Sequence, residues 1–346
     1  MSAWIDIIVE SVIKSIVVIL FLLAGFGYIT LWERQILGRL QTRYGPIRVG
    51  PLGLFQPLAD GLKLLLKEQI SPRNVKLGIY LSAPALSLFV ALMAFAIIPV
   101  GPPIYLFGKW RDLALANVNI GLLYLLAILS LGVYGIVLGA WSSANRYSLL
   151  GGLRSGAQMI SYELALGLAL LAVVLLAGTL SPMGIVEAQH RPGMTWFVFL
   201  QPIGFFLLVV GGFAETNRAP FDLVEAEQEL IGGYFTEYGG MRWGLFMMAE
   251  YMNMMTVSAL VATLFLGGWV GIGTGIICNV TTAPWRQLIG VAWFLLKMGL
   301  FIFFYIWVRA TLPRIRYDQL MEFGWKILLP LAVVNLLLTA LFVSLS

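Results

Sequence analysis

AQMISYELALGLALLAVVLLAG, residues 157–178, carries one charged side chain, Glu163, in a run of twenty-two residues. A helix needs about 20 apolar residues to cross a ~30 Å hydrocarbon layer. This run has that length and is apolar around its whole circumference, which a surface helix with one oily face is not. Comparable runs lie near 12–32, 78–99, 118–141, 196–213, 244–267, 288–310 and 326–345. They are too long and too uniformly apolar for the alternating strands of a barrel, and in lipid a helix satisfies its backbone polar groups internally. With 60% hydrophobic and 11% charged residues over 346 positions, the composition excludes a soluble globule. The expectation is an all-α membrane protein, a bundle of about eight transmembrane helices plus a short amphipathic interfacial helix. Residues 1–346 would form a single polytopic membrane domain.

Basic residues between the runs orient the bundle. Sixteen, from Arg34 to Lys326, fall in the first, third, fifth and seventh connections, whereas the opposite connections hold only Lys109, Arg111, Arg191 and Arg286. The richer side is expected to be cytoplasmic, which leaves both termini outside. Topology therefore accounts for the net charge of +5 without a nucleic-acid partner. The first apolar run is too long for a signal-peptide core and is expected to remain as a span, with Lys14 reaching out to the headgroups.

One cysteine, Cys278, and one histidine, His190, cannot ligate an iron–sulfur cluster, a structural zinc or a bis-histidine haem. No phosphate-binding glycine loop opens a helix after a strand. No metal site or redox centre is expected, so electrons in any redox chemistry would travel on partners or a diffusible substrate. Gly135 and Gly139 have the spacing of closely packed helices, while Gly267, Gly271 and Gly275 read as a loop.

Two cytoplasmic connections concentrate the polar chemistry. In residues 33–77, two Gly-Pro pairs interrupt the chain, and from Phe55 a short helix is expected. Leu58, Leu62, Leu65 and Leu66 fall on one face and Gln56, Asp60, Lys63 and Lys67 on the other. That pattern suits a helix in the membrane interface, placed to anchor the chain or to guide an amphiphile from lipid. Residues 214–243 begin AETNRAPFDLVEAEQELIGGYFTEYGG, with six carboxylates in 214–240. Glu215 and Arg218 are three apart and can pair on one helical face. If the chain after Pro220 is helical, Asp222, Glu225 and Glu229 share a face, with Glu227 elsewhere. Like charges so placed raise one another's proton affinity. Glu163 and Glu250 lie deeper, within apolar runs, and should face the bundle interior. Lys297 is open to two readings, a counter-charge or a snorkelling side chain.

ERQILGRLQTRYGP (33–46), VGPLGLFQPLADGLKLLLKE (49–68), the acidic stretch 214–240 and LFMMAEY (245–251) together resemble the signature regions of subunit 1, or the H subunit, of respiratory complex I. The chain departs from that family at Ile47 and Arg48, where relatives usually have Asn after the first Gly-Pro. The resemblance implies a membrane subunit, with no redox centre of its own, of a proton-translocating NADH:quinone oxidoreductase. Glu33, Arg34, Arg43, Gln56 and Asp60 would then belong to the quinone-chamber wall. Glu163, Glu215, Arg218, Asp222, Glu225, Glu227, Glu229 and Glu250 would form a proton relay. Quinone would be the substrate, while NADH, FMN and iron–sulfur clusters would reside on hydrophilic partner subunits. Small and antiporter-like membrane subunits would be further partners. A bacterial plasma membrane is the expected location, ahead of the mitochondrial inner or thylakoid membrane. A related membrane-bound hydrogenase or ferredoxin-dependent quinone oxidoreductase uses a similar subunit, and is the alternative reading.

Overall fold

A computed structural model describes residues 2–106, 109–190, 196–222, 232–271 and 283–345. It is built on long helices: α1 (Ser2–Leu40), α3 (Leu77–Phe95), α4 (Gly121–Ser142), α5 (Arg146–Ala177), α9 (Gly240–Phe265), α10 (Ala283–Thr311) and α11 (Tyr317–Leu345). Within α11, residues Phe323–Leu328 form a π-helical turn. Among the described residues, seven helices are long and apolar enough to cross a membrane. At 1.5 Å rise per residue, the 22 residues of α4 extend about 33 Å, matching the hydrocarbon thickness.

The run at 196–213 is helical but broken. A single turn, α7 (Phe197–Leu200), stops at Gln201, and α8 (Pro202–Glu215) restarts with proline at its first position. Proline has no N–H to give and is pre-set for a first turn, so it starts a helix well and continues one badly. Buried Gln201 occupies the break, and its side-chain amide donates to Thr339 Oγ1 at 2.6 Å and to the Ala172 carbonyl at 3.3 Å. At 14 residues, α8 is the shorter eighth apolar helix. Among the described residues, the bundle of about eight helices is therefore seven full-length spans and this interrupted one.

Two features do not follow from the apolar runs. First, α1 does not end with its apolar run but continues to Leu40, so Glu33 and Arg34 sit on a helix and not in a connection. Second, a two-stranded antiparallel hairpin, β1 (Ile104–Leu106) and β2 (Lys109–Arg111), follows α3. A short helix, α6 (Pro182–Gln189), links α5 to α7, and α5 itself ends on Gly178 at φ 69°, a left-handed C-cap that glycine adopts without strain. The interfacial helix α2 (Gln56–Leu66) has none of its residues buried, and Leu58, Leu62, Leu65 and Leu66 are all exposed. It packs on both α1 and α9.

The core lies where α5, α8 and α9 meet, around Tyr162, Leu166, Leu208, Met252 and Phe265. Lys297, buried on α10, does not snorkel, and among the described residues no carboxylate pairs with it. Its ammonium donates to the carbonyls of Leu266, Gly268 and Val270 at 2.5, 2.8 and 2.6 Å, and lies 4.8 Å from the Trp196 ring centroid. It thus caps the carbonyls just beyond the end of α9, where a cation also meets the negative end of the helix dipole. Lys297→Met is expected to strand these acceptors and to cost about 1–2 kcal/mol, visible as a lower thermal midpoint of the detergent-solubilised protein. An unchanged midpoint would refute the cap. Lys14 does not stand alone either: it pairs with Glu10 at 2.9 Å.

Candidate functional site

The turn after α8 positions the central cation. Asn217 takes a positive φ of 49°, a conformation asparagine tolerates better than most residues, and this swings the chain away from the helix axis. Gln158 on α5 holds the turn by donating to the carbonyls of Ala214 and Phe221, both at 2.9 Å. Arg218 is thereby aimed into the bundle, where it is 7% exposed. Its Nη1 donates to both oxygens of Glu33 at 3.0 and 3.3 Å, and its Nε lies 2.7 Å from Glu250 Oε1. Its guanidinium also stands 4.1 Å over the ring of Tyr251. The expected pairing with Glu215 is therefore replaced. An i,i+3 pair requires helix through both positions, and α8 stops at Glu215.

Glu33 is 4% exposed and multiply satisfied. Besides Arg218, it accepts from Arg309 on α10 and from the Tyr251 hydroxyl at 2.6 Å. Two acids and two guanidinium groups thus meet from α1, α9, α10 and the turn after α8, and their formal charges cancel. Burial works against the Arg218 cation, but Glu250, Tyr251 and Glu33 outweigh it and hold its pKa above the ordinary arginine value. A buried ion pair persists only with such geometry and hydrogen bonding.

Beside this cluster lies a small cavity of about 30 Å³ lined by Glu215, Asn217, Tyr234, Glu250 and Asn253. That is room for a water molecule or two. Asn253 Oδ1 is buried and finds no donor among the described residues, so the cavity also offers an unmet acceptor. Glu215, 9% exposed at the end of α8, faces it from one side and Glu250 from the other. Glu163, half-buried on α5, accepts from the Ser130 hydroxyl of α4 and lies within electrostatic reach of Glu215. An ordered sequence results: Glu33, Arg218, Glu250, the cavity, Glu215, Glu163.

The residues assigned to a chamber wall divide. Arg34 Nη1 binds Asp60 Oδ2 at 2.7 Å, and Gln56 Nε2 donates to Asp60 Oδ1 at 3.0 Å, fastening α2 to α1. Arg34 and Asp60 also border a polar cavity of about 500 Å³ with Lys63, Lys67 and Trp243. Glu33 points elsewhere, since neighbours on a helix are about 100° apart. Arg43 is exposed beyond α1 and donates to Gln41 Oε1 at 2.8 Å. Asp222 pairs with Arg314 at 3.1 Å, while Glu225, Glu227 and Glu229 lie outside the described residues.

Arg309, Tyr251, Ser130 and Asn253 do not stand out as site residues in the sequence. Arg309 reads there only as one more basic residue near the end of an apolar run, which is also what a snorkelling arginine looks like. Only Tyr251 carries a signal, as the residue completing the LFMMAEY motif beside Glu250.

The NADH dehydrogenase family model matches residues 13–340. The H subunit of the NADH-quinone oxidoreductase of Protochlamydia amoebophila is 53% identical over 316 residues, covering 91% of this chain and 92% of its own. The H subunits of the Deinococcus deserti and Thermomicrobium roseum enzymes are each 50% identical, over 99% and 96% of this chain and 86% and 96% of their own lengths. A match of this extent, on a bundle whose buried acids and arginines converge on one region, means that the chain belongs to the NADH dehydrogenase family.

Proposed function

We propose that this chain is the membrane subunit of a proton-translocating NADH:quinone oxidoreductase, forming the membrane part of its quinone chamber and the start of a carboxylate relay. The names its relatives carry support the assignment to that complex. The carrying observation is that Glu250 and Glu215, from different elements, line one water-sized cavity, while Arg218 ties Glu250 to Glu33. Charge changes at one end of such a linked set are felt at the other, because in a poorly solvated interior Coulomb interactions are weakly screened.

In this reading, α2 lies in the interface beside the chamber mouth and offers its leucine face to the quinone tail, with sparse polar groups for the head. Quinone enters from the bilayer and is reduced at the junction with hydrophilic partners, which hold the NADH site, FMN and the iron–sulfur clusters. Its reduction shifts the protonation of Glu215 and its neighbours, and Glu163 passes the change toward the other membrane subunits. This chain supplies no redox centre and has no activity alone. The basic connections face the cytoplasm of a bacterium, and both termini face outward.

Glu215→Gln and Glu163→Gln keep shape and hydrogen bonding while removing the titratable proton. In the complex reconstituted into liposomes, each is expected to lower quinone reduction and proton uptake together, by about tenfold, equivalent to ~1.4 kcal/mol on the limiting step. Unchanged rates of both would remove these residues from the relay.

A further inference from the structure

The N-terminal half of α1, the hairpin and α10 enclose a cleft of about 470 Å³ that the proposed function does not use. Its charged groups are confined to one end: Glu10 and Lys14 on α1, Arg111 on β2, and the adjoining Asp112. From there the walls turn apolar, through Val17 and Phe21 on α1, Phe95 on α3 and Leu295 on α10. Glu10 and Phe21 are eleven residues apart on one helix, which sets the cleft's depth at about 16 Å along the helix axis. The cleft therefore runs along a membrane span, with ionic groups at the level of one interface and hydrocarbon below. Among the seven full-length spans, α1 is the least covered by the rest of the chain, so the cleft adjoins lipid.

The ionic end is balanced. Lys14 and Arg111 both approach Glu10, at 2.9 and 3.3 Å, and Asp112 accepts from Asn117 Nδ2 at 2.9 Å. Among the described lining residues, two cations and two carboxylates present both signs to a ligand. We propose that this cleft is a binding site for a zwitterionic aminophospholipid such as phosphatidylethanolamine. One acyl chain fills the apolar depth, the phosphate meets Lys14 and Arg111, and the ammonium meets the carboxylates of Asp112 and Glu10. An anionic headgroup matches only half of this set. A partner helix without matching charges would desolvate these ionised groups and return nothing to them. The acyl-chain fit depends on depth and polarity alone, so the site stands or falls independently of the quinone reading.

The test uses the whole complex in phosphatidylglycerol vesicles doped with either phosphatidylethanolamine or phosphatidylglycerol bearing a photoreactive group in one acyl chain. Adducts are mapped to the peptides of α1 and α10 by mass spectrometry. Labelling at the cleft is expected to be about tenfold stronger with the ethanolamine probe, a preference of ~1.4 kcal/mol. Val17→Trp, which fills the cleft, should abolish it, while Ile16→Trp, on the same helix but outside the cleft lining, should not. Glu10→Gln combined with Asp112→Asn, which removes the partners of the ammonium and keeps those of the phosphate, should erase the preference between headgroups. Equal labelling by both probes in the wild type, a preference for phosphatidylglycerol, or labelling that survives Val17→Trp would each overturn the proposal.

Discussion

Arg218→Leu is expected to remove most of the assembled protein from the membrane. The side chain is 7% exposed and bridges two carboxylates that have little access to water. Leucine fills much of the volume but leaves Glu250 without the guanidinium 2.7 Å from its carboxylate. Breaking a buried pair from one side costs about 3–5 kcal/mol, because the remaining charge stays desolvated. Glu33 suffers less, since Arg309 and the Tyr251 hydroxyl still reach it. The double variant Arg218→Leu with Glu250→Leu should therefore recover part of the loss, having removed the carboxylate that faces Arg218 Nε. Arg218→Lys should fall between, because a single ammonium cannot address Glu33 and Glu250 through separate nitrogens as the guanidinium fork does. Native-gel quantitation of the assembled complex, with its thermal midpoint, reads all three. Wild-type accumulation of Arg218→Leu, or a double variant no better than the single, would sink this account of the cluster.

The helices were legible because lipid imposes a length and tolerates almost no charge, so seven spans show directly as apolar runs. What the runs hide is where helices continue or break without a change in polarity. Beyond Trp32, α1 turns polar on one side while Glu33, Ile36 and Leu37 stay packed against the bundle, so the helix persists although its last turns look like a connection. The opposite case is the break at Gln201–Pro202, inside an oily run, where the proline was the only sign. At the candidate site, residue types were readable but partners were not. Glu33, Arg218, Glu250 and Arg309 are brought together from four elements, and separations of up to 276 positions carry no distance information in a single chain. Local spacing suggested Glu215 for Arg218, and Asn217 with its turn-permissive side chain was the warning against it. The carboxylates at 225, 227 and 229 stay an expectation from spacing alone.

Helix contacts hold the same lesson, and a second large effect. Gly135 and Gly139 stand out by spacing, and a Cβ at Gly135 would indeed meet Ser87 Oγ, but that hydroxyl ends a side chain that can rotate. Gly152 on α5 has the same spacing to Gly156, and there the contact is harder, since a Cβ would lie 2.2 Å from the Ala140 Cβ of α4. A β-carbon cannot rotate away from its own backbone, so Gly152→Ala must push α4 and α5 apart. Both helices line the water-sized cavity through Leu129, Gly132 and Met159, so separation there also loosens the walls around Glu215 and Glu250. The expected cost is about 3 kcal/mol or slightly more, the upper range for overpacking a close contact. The decisive control exchanges the methyl between helices: Gly152→Ala with Ala140→Gly restores the total volume across the contact and should return most of the stability and of the quinone reductase activity. Ala140→Gly alone should cost only about 1 kcal/mol, from helix propensity. A Gly152→Ala protein as stable as wild type would show that the two helices do not approach as closely as described, and failure of the exchange to rescue it would show that the damage lies elsewhere than in the α4–α5 contact.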